Sequence, residues 1–448
     1  MEHDMSKGNP TRLILLFMLP ILGGNLFQQF YSMVDTIIVG RFLGVQSLAA
    51  VGSTGGATFL VLGFVVGLTV GFSVIISQKF GAKDEASMKK AVAMSVLTAG
   101  AISIVISGLA VWLCKPMLRL LNTPYDIIED ANSYLTILFI GIVATIYYNL
   151  LASFLRALGD SRSPLYFLLI ASALNIAGDL LAVLVLDLGV RGVALATVVS
   201  QSLSALLCLI YIVRRYPSLH LKRSDWALDW HIIGNLLRIG LPSALQFSVC
   251  AIGVMFVQAT INKMGSNTVA AFSVGVRIEQ LVTLPLPTLG VAMTTYAAQN
   301  LGSGKLDRVS QGIRSASLLV VLFSAIAFAL VFFLGGDLAR LFVDGSQGPV
   351  IKEVQLYLNI IAPFFIPLGF IFVLRSTSQG LGSGLIPMLS SIQELVFRVL
   401  VALILPRFLG YAGVCLASPV AWVAASILLL FAHRIQMKNF RHLVEVKR

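Results

Sequence analysis

The residues of this sequence that could do chemistry are acidic, amide and hydroxyl residues within apolar runs. The first acid of this kind is Asp35. It lies near the far end of a membrane-length apolar run, residues 13–39. An ionisable side chain at the bilayer centre costs at least ~2.5 kcal/mol, so such a residue usually faces a cavity or marks an ion pathway. On a helix, Phe27, Tyr31 and Asp35 share one face, and Gln28 lies beside them. The pattern indicates a face that carries aromatic, amide and carboxylate groups.

A second polar group lies in the fifth apolar run, where Asn175 and Asp179 are spaced i, i+4. Counted from the outer charge nearest to each, Asp35, Asp179 and Thr197 lie six to eight residues deep, or about 9 to 12 Å. Two carboxylates, an amide and a hydroxyl are therefore predicted at one level of the amino-terminal half. Asn149, near the middle of the fourth run, is expected to border them.

The residue types at this level allow more than one chemistry. Two carboxylates held close in a poorly hydrated pocket repel each other, so the pair can hold a proton. The oxygens of Asp35, Asn175, Asp179 and Thr197 could instead coordinate a small hard cation such as Na⁺. A third interpretation is a buried polar network that only fixes helix packing. The residue types do not choose among the three.

The composition indicates a protein embedded in the lipid bilayer. Of 448 residues, 57% are hydrophobic and 12% are charged, and the mean hydropathy is +0.91. These values lie far outside the soluble globular range. A net charge of +12 would suggest a nucleic-acid partner in a soluble chain. Here the membrane surface accounts for it, since basic residues collect in cytoplasmic loops, and no nucleic-acid partner is expected.

Apolar stretches of about 20 residues predict an all-α polytopic protein with twelve transmembrane helices. Their predicted starts are Leu13, Val51, Ala91, Ile128, Pro164, Val190, Ile232, Ala271, Ala316, Val354, Ile386 and Ala412. With a cytoplasmic amino terminus, 22 of the 32 Lys and Arg residues fall on the inside flanks and nine on the outside. The remaining one, Arg398, lies within a span. Both termini are therefore predicted to be cytoplasmic.

The sequence also repeats itself. Leu19-Pro20 matches Leu241-Pro242, and other pairs of motifs likewise lie 221 to 223 residues apart. Two six-span halves in the same orientation follow, because six is an even number. We predict an amino-terminal lobe of residues 1–213, a cytoplasmic linker of 214–231 and a carboxy-terminal lobe of 232–448. Parallel repeats of this kind are typical of transporters, with the substrate path between the halves.

Enzymatic chemistry and ATP hydrolysis find no support in the sequence. The run Gly302 to Lys305 resembles the end of a Walker loop, but Gln299 stands where glycine is required and Leu306 where Ser or Thr is required. No constellation typical of a nucleophile appears. We therefore expect no enzyme activity and no cofactor apart from a coupling ion.

One further charged pair has a structural interpretation. Glu394 and Arg398 are spaced i, i+4 and are predicted to form an ion pair within one helix.

The order, spacing and duplication of the motifs resemble those of the multidrug and toxic compound extrusion (MATE) transporters. The resemblance covers essentially the whole chain. Its motifs are Asp35-x4-Gly40-Arg41-x2-Gly44, Gln78-x2-Gly81-Ala82-Lys83, Arg156-Ala157-x-Gly159-Asp160, Gln299-Asn300-x-Gly302 and Gln379-Gly380-x-Gly382.

The resemblance implies two six-helix bundles related by pseudo-twofold symmetry around a central cleft. It also implies export of cationic amphiphilic compounds in exchange for H⁺ or Na⁺. Asp35, Asn175, Asp179 and Thr197 match the amino-lobe cation site of the DinF-like branch, and Pro20 matches its kinked first helix. The NorM-like branch places acids in its seventh and tenth helices. Here the seventh span carries Gln246, Gln258 and Asn262, and the hydrophobic part of the tenth has no acid.

The leading hypothesis is therefore a multi-pass antiporter of the inner membrane, active as a monomer, with alternating access of its two halves. Small organic cations would be its substrates, and aromatic faces would receive them. The residues predicted to border the substrate cavity are Pro20, Phe27, Gln28, Tyr31, Tyr147, Tyr148 and Glu279. The alternative is a flippase of related fold for a lipid-linked or polyanionic substrate, which would need basic residues at mid-membrane. A receptor or scaffold that does not transport is a third hypothesis, against which the lack of long soluble segments argues.

Overall fold

The computed structural model describes residues 4–121, 123–343 and 348–446, with side chains up to residue 440. Within those ranges all regular structure is helical, which confirms the predicted all-α class. This is expected of chains in lipid, because a helix satisfies its backbone hydrogen bonds internally.

The first half of the chain contains eight α-helices and continues into a ninth. They are α1 (Pro10–Ile38), α2 (Val45–Ser53), α3 (Gly55–Gly81), α4 (Glu85–Leu120), α5 (Ile128–Ile140), α6 (Ile142–Ala157), α7 (Arg162–Leu184), α8 (Gly189–Arg215) and α9 (Trp230–Ile261). A π-helical turn at Val39–Leu43 follows α1, and two 3₁₀ turns, Pro217–Leu219 and Arg223–Trp226, lie between α8 and α9.

The second half repeats the pattern with more interruptions. Its helices are α10 (Ser266–Thr283), α11 (Pro285–Gly302), α12 (Leu306–Arg340), α13 (Gly348–Ile361), α14 (Phe365–Gly380), α15 (Leu385–Ile404), α16 (Pro406–Leu409), α17 (Tyr411–Cys415) and α18 (Ala417–Val446). The 3₁₀ turns Asn262–Met264 and Ala362–Phe364 complete it.

Among the described residues, ten helical stretches are long and apolar enough to cross a membrane. Two bent pairs raise the number to twelve: α5 with α6, bent by 47°, and α10 with α11, bent by 43°. Eleven of the twelve predicted starts fall within these segments, and Val51 lies in α2, four residues before one of them. The number of segments confirms the predicted span number. Pro285 and Gly141 lie at the two bends, at points where the helical hydrogen bonding is interrupted.

The chain folds into two compact units. The first contains Leu19–Phe247, and the second contains Met5–Met18 and the chain from Ser248 onward. Helix α1 therefore contributes residues to both units. The sequence-based lobe boundaries remain a prediction, but the contacts assign residues 5–18 to the second unit and residues 214–247 to the first.

Hydrogen bonds explain why the amino-terminal segment belongs to the second unit. The Met5 N–H donates to Gln299 Oε1 at 2.8 Å, and Asn300 Nδ2 donates back to the Met5 carbonyl at 3.2 Å. Arg308 Nη2 donates to the carbonyl of Gly8 at 2.9 Å. The Gln299-Asn300 pair of the repeated motif thus satisfies backbone groups of a segment nearly 300 residues away.

The linker is fastened to the first unit in a comparable way. The buried hydroxyl of Tyr216 donates to Asp160 Oδ2 at 2.5 Å. Lys90 Nζ lies 3.0 Å from Asp229 Oδ2, and this hydrogen bond lowers the pKa of Asp229. Asp229 Oδ1 also accepts from the Ile232 N–H at 3.2 Å, which caps the start of α9.

Small residues allow α3 to lie directly against the first half of α9. A Cβ atom added at Gly67 would be 2.4 Å from the carbonyl oxygen of Ser243, and one added at Gly71 would be 2.4 Å from the Gly240 Cα. No real Cβ atom approaches backbone so closely. The repeated glycines of α3 therefore serve close helix packing, as small residues do between membrane helices.

We expect Gly67→Ala to destabilise the protein, because the added methyl group must push the backbone of Ser243 away. Overpacking of this kind costs about 1–3 kcal/mol. Thermal unfolding of the purified protein in detergent measures the effect. Gly55→Ala is the matched control, since Gly55 lies in the same helix and an added Cβ there has no atom within 4 Å. Equal melting temperatures for the two variants would contradict the close contact.

Candidate functional site

Three helices of the first unit position the polar residues predicted to act together. Asp35 lies near the end of α1, Asn175 and Asp179 lie in α7, and Thr197 lies in α8. Helices α7 and α8 pack antiparallel and in close contact: a Cβ atom added at Gly178 would be 3.0 Å from that of Ala196. This small residue lets the amide, the carboxyl and the hydroxyl meet at one level.

The side chains of Asp35 and Asp179 lie within hydrogen-bonding reach of each other. Asp179 is fully buried and Asp35 is half-buried. One oxygen of each carboxyl, Oδ1 of Asp35 and Oδ2 of Asp179, is buried and has no hydrogen-bond partner. Two ionised carboxylates are acceptors only, so a hydrogen bond between them requires one proton. The composition of the pair therefore suits a proton or another cation.

Asn175 connects Asp179 to Thr197. Its Nδ2 donates to Asp179 Oδ1 at 3.5 Å and to Thr197 Oγ1 at 3.3 Å. The Thr197 hydroxyl in turn donates to the carbonyl of Val193 at 3.1 Å, so its oxygen acts toward the site as an acceptor. The side-chain oxygen of Asn175 is buried and has no partner. Several hydrogen-bond acceptor oxygens without donors therefore lie close together around Asp179.

Two tyrosines complete the surroundings of the carboxyl pair. Tyr31, one turn before Asp35 on α1, interacts electrostatically with both Asp35 and Asp179. Tyr134, in α5, also interacts with both carboxyls and is 8% exposed. The sequence-based reasoning missed Tyr134. Its depth, four residues beyond the charge Asp130, is less than the six to eight residues counted for the others, so the count did not group Tyr134 with them.

The chemistry of the donors suits a proton or an alkali cation. Buried polar atoms are normally paired, so unpartnered acceptor oxygens mark a place where a positive ion would be stabilised. Carboxylate, amide and hydroxyl oxygens are hard ligands, which suit hard cations. No group of three or more His, Cys, Asp and Glu side chains capable of holding a metal was found in the part of the chain that the structure describes.

The other predicted residues of α1 lie on a continuous helix. Helix α1 runs without interruption through Pro20, which removes one backbone hydrogen bond. Phe27, Tyr31 and Asp35 therefore share one face, as predicted from their spacing. Phe27 and Gln28 are exposed.

The predicted residues of α6 make contacts of their own. Asn149 Nδ2 donates to the Thr145 carbonyl of its own helix at 2.8 Å. Tyr148 is buried in the apolar core of the first unit. Tyr147 donates to the Val96 carbonyl at 3.3 Å and lines a separate apolar cavity. These contacts do not join the three residues to the carboxyl pair.

The second unit holds a different set of buried charges. Arg375 Nη2 lies 3.0 Å from Glu394 Oε2, and Arg398 Nη2 lies 2.6 Å from Glu394 Oε1. The predicted Glu394–Arg398 ion pair is confirmed, and Arg375 joins it. Arg375 is one of the 22 basic residues on the predicted inside flanks, and its side chain is buried.

Glu279, the predicted cavity residue of the second unit, is also engaged. It accepts a hydrogen bond from the hydroxyl of Tyr357, and it interacts electrostatically with Arg398.

Comparison with known proteins agrees with this architecture. A family model, MatE, matches residues 20–181 and again 242–404, the two halves of the internal repeat. The chain is 30% identical to the probable multidrug resistance protein YpnP of Bacillus subtilis, over 96% of both chains. It is 23% identical to a FAD transporter of Shewanella oneidensis, over 94% of this chain and 93% of that protein.

A solved structure shares the fold. It is an outward-facing conformation of a multidrug resistance MATE family transporter of the MOP superfamily. The TM-score is 0.91 with 24% identity, and the match covers 98% of each chain. With the family model matching both halves and the relative YpnP matching almost the full length, this multi-pass membrane protein belongs to the MATE family of multidrug transporters.

Proposed function

We propose that the chain is a secondary active antiporter that exports cationic amphiphilic compounds in exchange for H⁺ or Na⁺. The observation that carries the proposal is the approach of the Asp35 and Asp179 carboxyl groups, each with one buried oxygen that has no partner. A coupling ion must bind where its arrival changes the charge seen by the substrate. This pair is such a place.

The proton version of the mechanism follows from the charge of the pair. Without a proton, Asp35 and Asp179 carry two negative charges in a poorly hydrated interior, and they attract an organic cation. One proton shared between them removes one charge and replaces their repulsion with a hydrogen bond. The attraction for the organic cation then falls, and release toward the side of proton entry is favoured.

The Na⁺ version uses the same residues with two more oxygens. Carboxylate oxygens of Asp35 and Asp179, the amide oxygen of Asn175 and the hydroxyl oxygen of Thr197 would hold the ion. Occupancy by Na⁺ adds one positive charge and again weakens the attraction for a second cation. Either ion therefore competes electrostatically with the substrate, and the exchange follows from alternating access of the two halves.

Helix α1 is the element through which ion binding would act. It carries Asp35 together with Tyr31 and Phe27 on one face. A bond between Asp35 and Asp179 would therefore hold the end of α1 against α7, and loss of that bond would release it. Aromatic faces at Phe27 and Tyr31 suit organic cations. The protein would act as a monomer in the inner membrane with both termini cytoplasmic.

Transport of a polyanionic or lipid-linked substrate is the competing function, and the FAD transporter of Shewanella oneidensis makes it worth testing. Such a substrate requires cationic groups that are free to bind it. Arg375 and Arg398 both bind Glu394, and Arg398 also interacts with Glu279. These pairings favour the organic-cation function.

We expect Asp35→Asn to abolish ion-driven efflux of a fluorescent organic cation. The amide can donate to the ionised Asp179 carboxylate, so the repulsion that favours uptake of a coupling ion is lost. The measurement is efflux from proteoliposomes with an imposed ΔpH or ΔNa⁺. Asp126→Asn, at an exposed position, is the matched control and should transport normally. Wild-type rates from Asp35→Asn, or efflux of an anionic dye in preference to the cation, would overturn the proposal.

The Thr197→Val variant distinguishes Na⁺ from H⁺ as the coupling ion. If Na⁺ is coordinated, loss of the hydroxyl ligand should raise the half-saturating Na⁺ concentration. If a proton is carried, ΔpH-driven efflux should fall by no more than about tenfold, because one hydrogen bond contributes roughly 1 kcal/mol. Ser202→Ala is the control, since Ser202 makes the same kind of bond to its own helix but is exposed. Unchanged efflux under both gradients would exclude Thr197 from the site.

A further inference from the structure

The apolar cavity that Tyr147 lines contains none of the residues of the carboxyl site. Its volume is about 690 Å³, within the range of sites that bind small molecules. Its walls come from α4, α6 and α8, and the linker segment 219–226 closes one end. Val92 near the start of α4, Phe154 near the end of α6 and Ile212 near the end of α8 all line it. The cavity therefore lies at the end of the unit that the distribution of basic residues predicts to be cytoplasmic.

One wall of this cavity consists of exposed apolar side chains of a membrane helix. Leu206, Leu209 and Val213 line it and are 52%, 44% and 54% exposed. Apolar side chains on the outside of a membrane helix contact lipid. Trp226, at the linker end, is 40% exposed and also lines the cavity. Tryptophan side chains concentrate at the level of the lipid headgroups. We therefore expect the linker end of the cavity to lie at the headgroups and its other end among the acyl chains.

Basic side chains surround the linker end of the cavity. The lining residue Val213 is followed directly by Arg214 and Arg215, and the lining residue Leu221 is followed by Lys222 and Arg223. All four basic residues are exposed.

None of these four basic residues forms an ion pair with another residue that the structure describes. The nearby acid, Asp225, accepts a hydrogen bond from the Lys222 backbone N–H at 2.7 Å and so caps the turn. The cluster therefore keeps a net positive charge at the predicted cytoplasmic surface.

From these features we infer that the cavity binds an anionic phospholipid of the cytoplasmic leaflet. One acyl chain occupies the apolar cavity between α4, α6 and α8, and the phosphate lies among Arg214, Lys222 and Arg223. Anionic lipids are attracted by clusters of Lys and Arg at this level. An organic cation is disfavoured at the same cluster, so the site is distinct from the proposed transport path.

The bound lipid would also hold the linker in place. His220 Nε2 lies 2.5 Å from the carbonyl of Val213, so the linker folds back onto the end of α8. Leu219, on the same segment, is buried and lines the cavity. A chain in the cavity adds contacts to this side of the linker, and the headgroup bridges the linker to the basic end of α8.

Trp226 provides a direct test, because the chain contains only four tryptophans. A variant that keeps Trp226 as its only tryptophan is reconstituted in phosphatidylcholine vesicles. One set of vesicles also contains phosphatidylglycerol with brominated acyl chains, and the other contains phosphatidylcholine with brominated acyl chains. We expect phosphatidylglycerol to quench Trp226 at several-fold lower mole fraction than phosphatidylcholine. A second variant that keeps only Trp112, which is 72% exposed on α4, should show no preference between the lipids.

Charge variants test the headgroup contact. Lys222→Gln with Arg223→Gln should reduce the preference for phosphatidylglycerol by about fivefold per removed charge. Arg434→Gln with Lys438→Gln, which removes two exposed basic residues of α18, is the matched control and should leave it unchanged. Native mass spectrometry of the otherwise unmodified chain should show the same loss of retained phosphatidylglycerol.

Two outcomes would overturn the inference. Equal quenching of Trp226 by both brominated lipids would show that the site does not prefer an anionic headgroup. Absence of quenching of Trp226 by either brominated lipid would show that no acyl chain enters the cavity.

Discussion

Two carboxyl groups cannot both stay ionised at close approach in a poorly hydrated interior without a counter-charge, and this constraint governs the first unit. Asp35 and Asp179 lie within hydrogen-bonding reach, and Asn175 and Thr197 direct further oxygens toward the same point. An unpaired charge in a membrane span costs several kcal/mol. A site with this composition favours the uptake of a proton or a cation, and this is the basis of the proposed ion coupling.

The rest of the unit serves to bring these groups together. Close approach of α7 to α8, permitted by Gly178, sets the level at which the amide and hydroxyl meet. Helix α1 brings Asp35 to them and belongs in part to each compact unit.

Much of this architecture could be predicted from the sequence, and the failures have physical reasons. Hydropathy predicted the number of spans because each span must be nearly free of charge over the thickness of the membrane. Counting residues from the outer charges grouped Asp35 with Asp179 because an α-helix rises by a constant distance per residue. Tyr134 was missed because a tyrosine in an apolar run looks like an ordinary core residue. Burial of Arg375 was missed because counting basic residues ignores where ion pairs form. The assignment of residues 5–18 to the second unit depends on hydrogen bonds between distant segments, which no local pattern encodes.

The most direct test is a double-mutant cycle on the affinity for a cationic drug, measured against pH and against Na⁺ concentration. The proteins compared are the wild type, Asp35→Asn, Asp179→Asn and the double variant. If the two carboxyls hold one ion between them, either single substitution removes the ion dependence and the double substitution adds nothing. Additive effects, with each single variant keeping part of the ion dependence, would show that Asp35 and Asp179 act as separate sites and would contradict the shared-ion account.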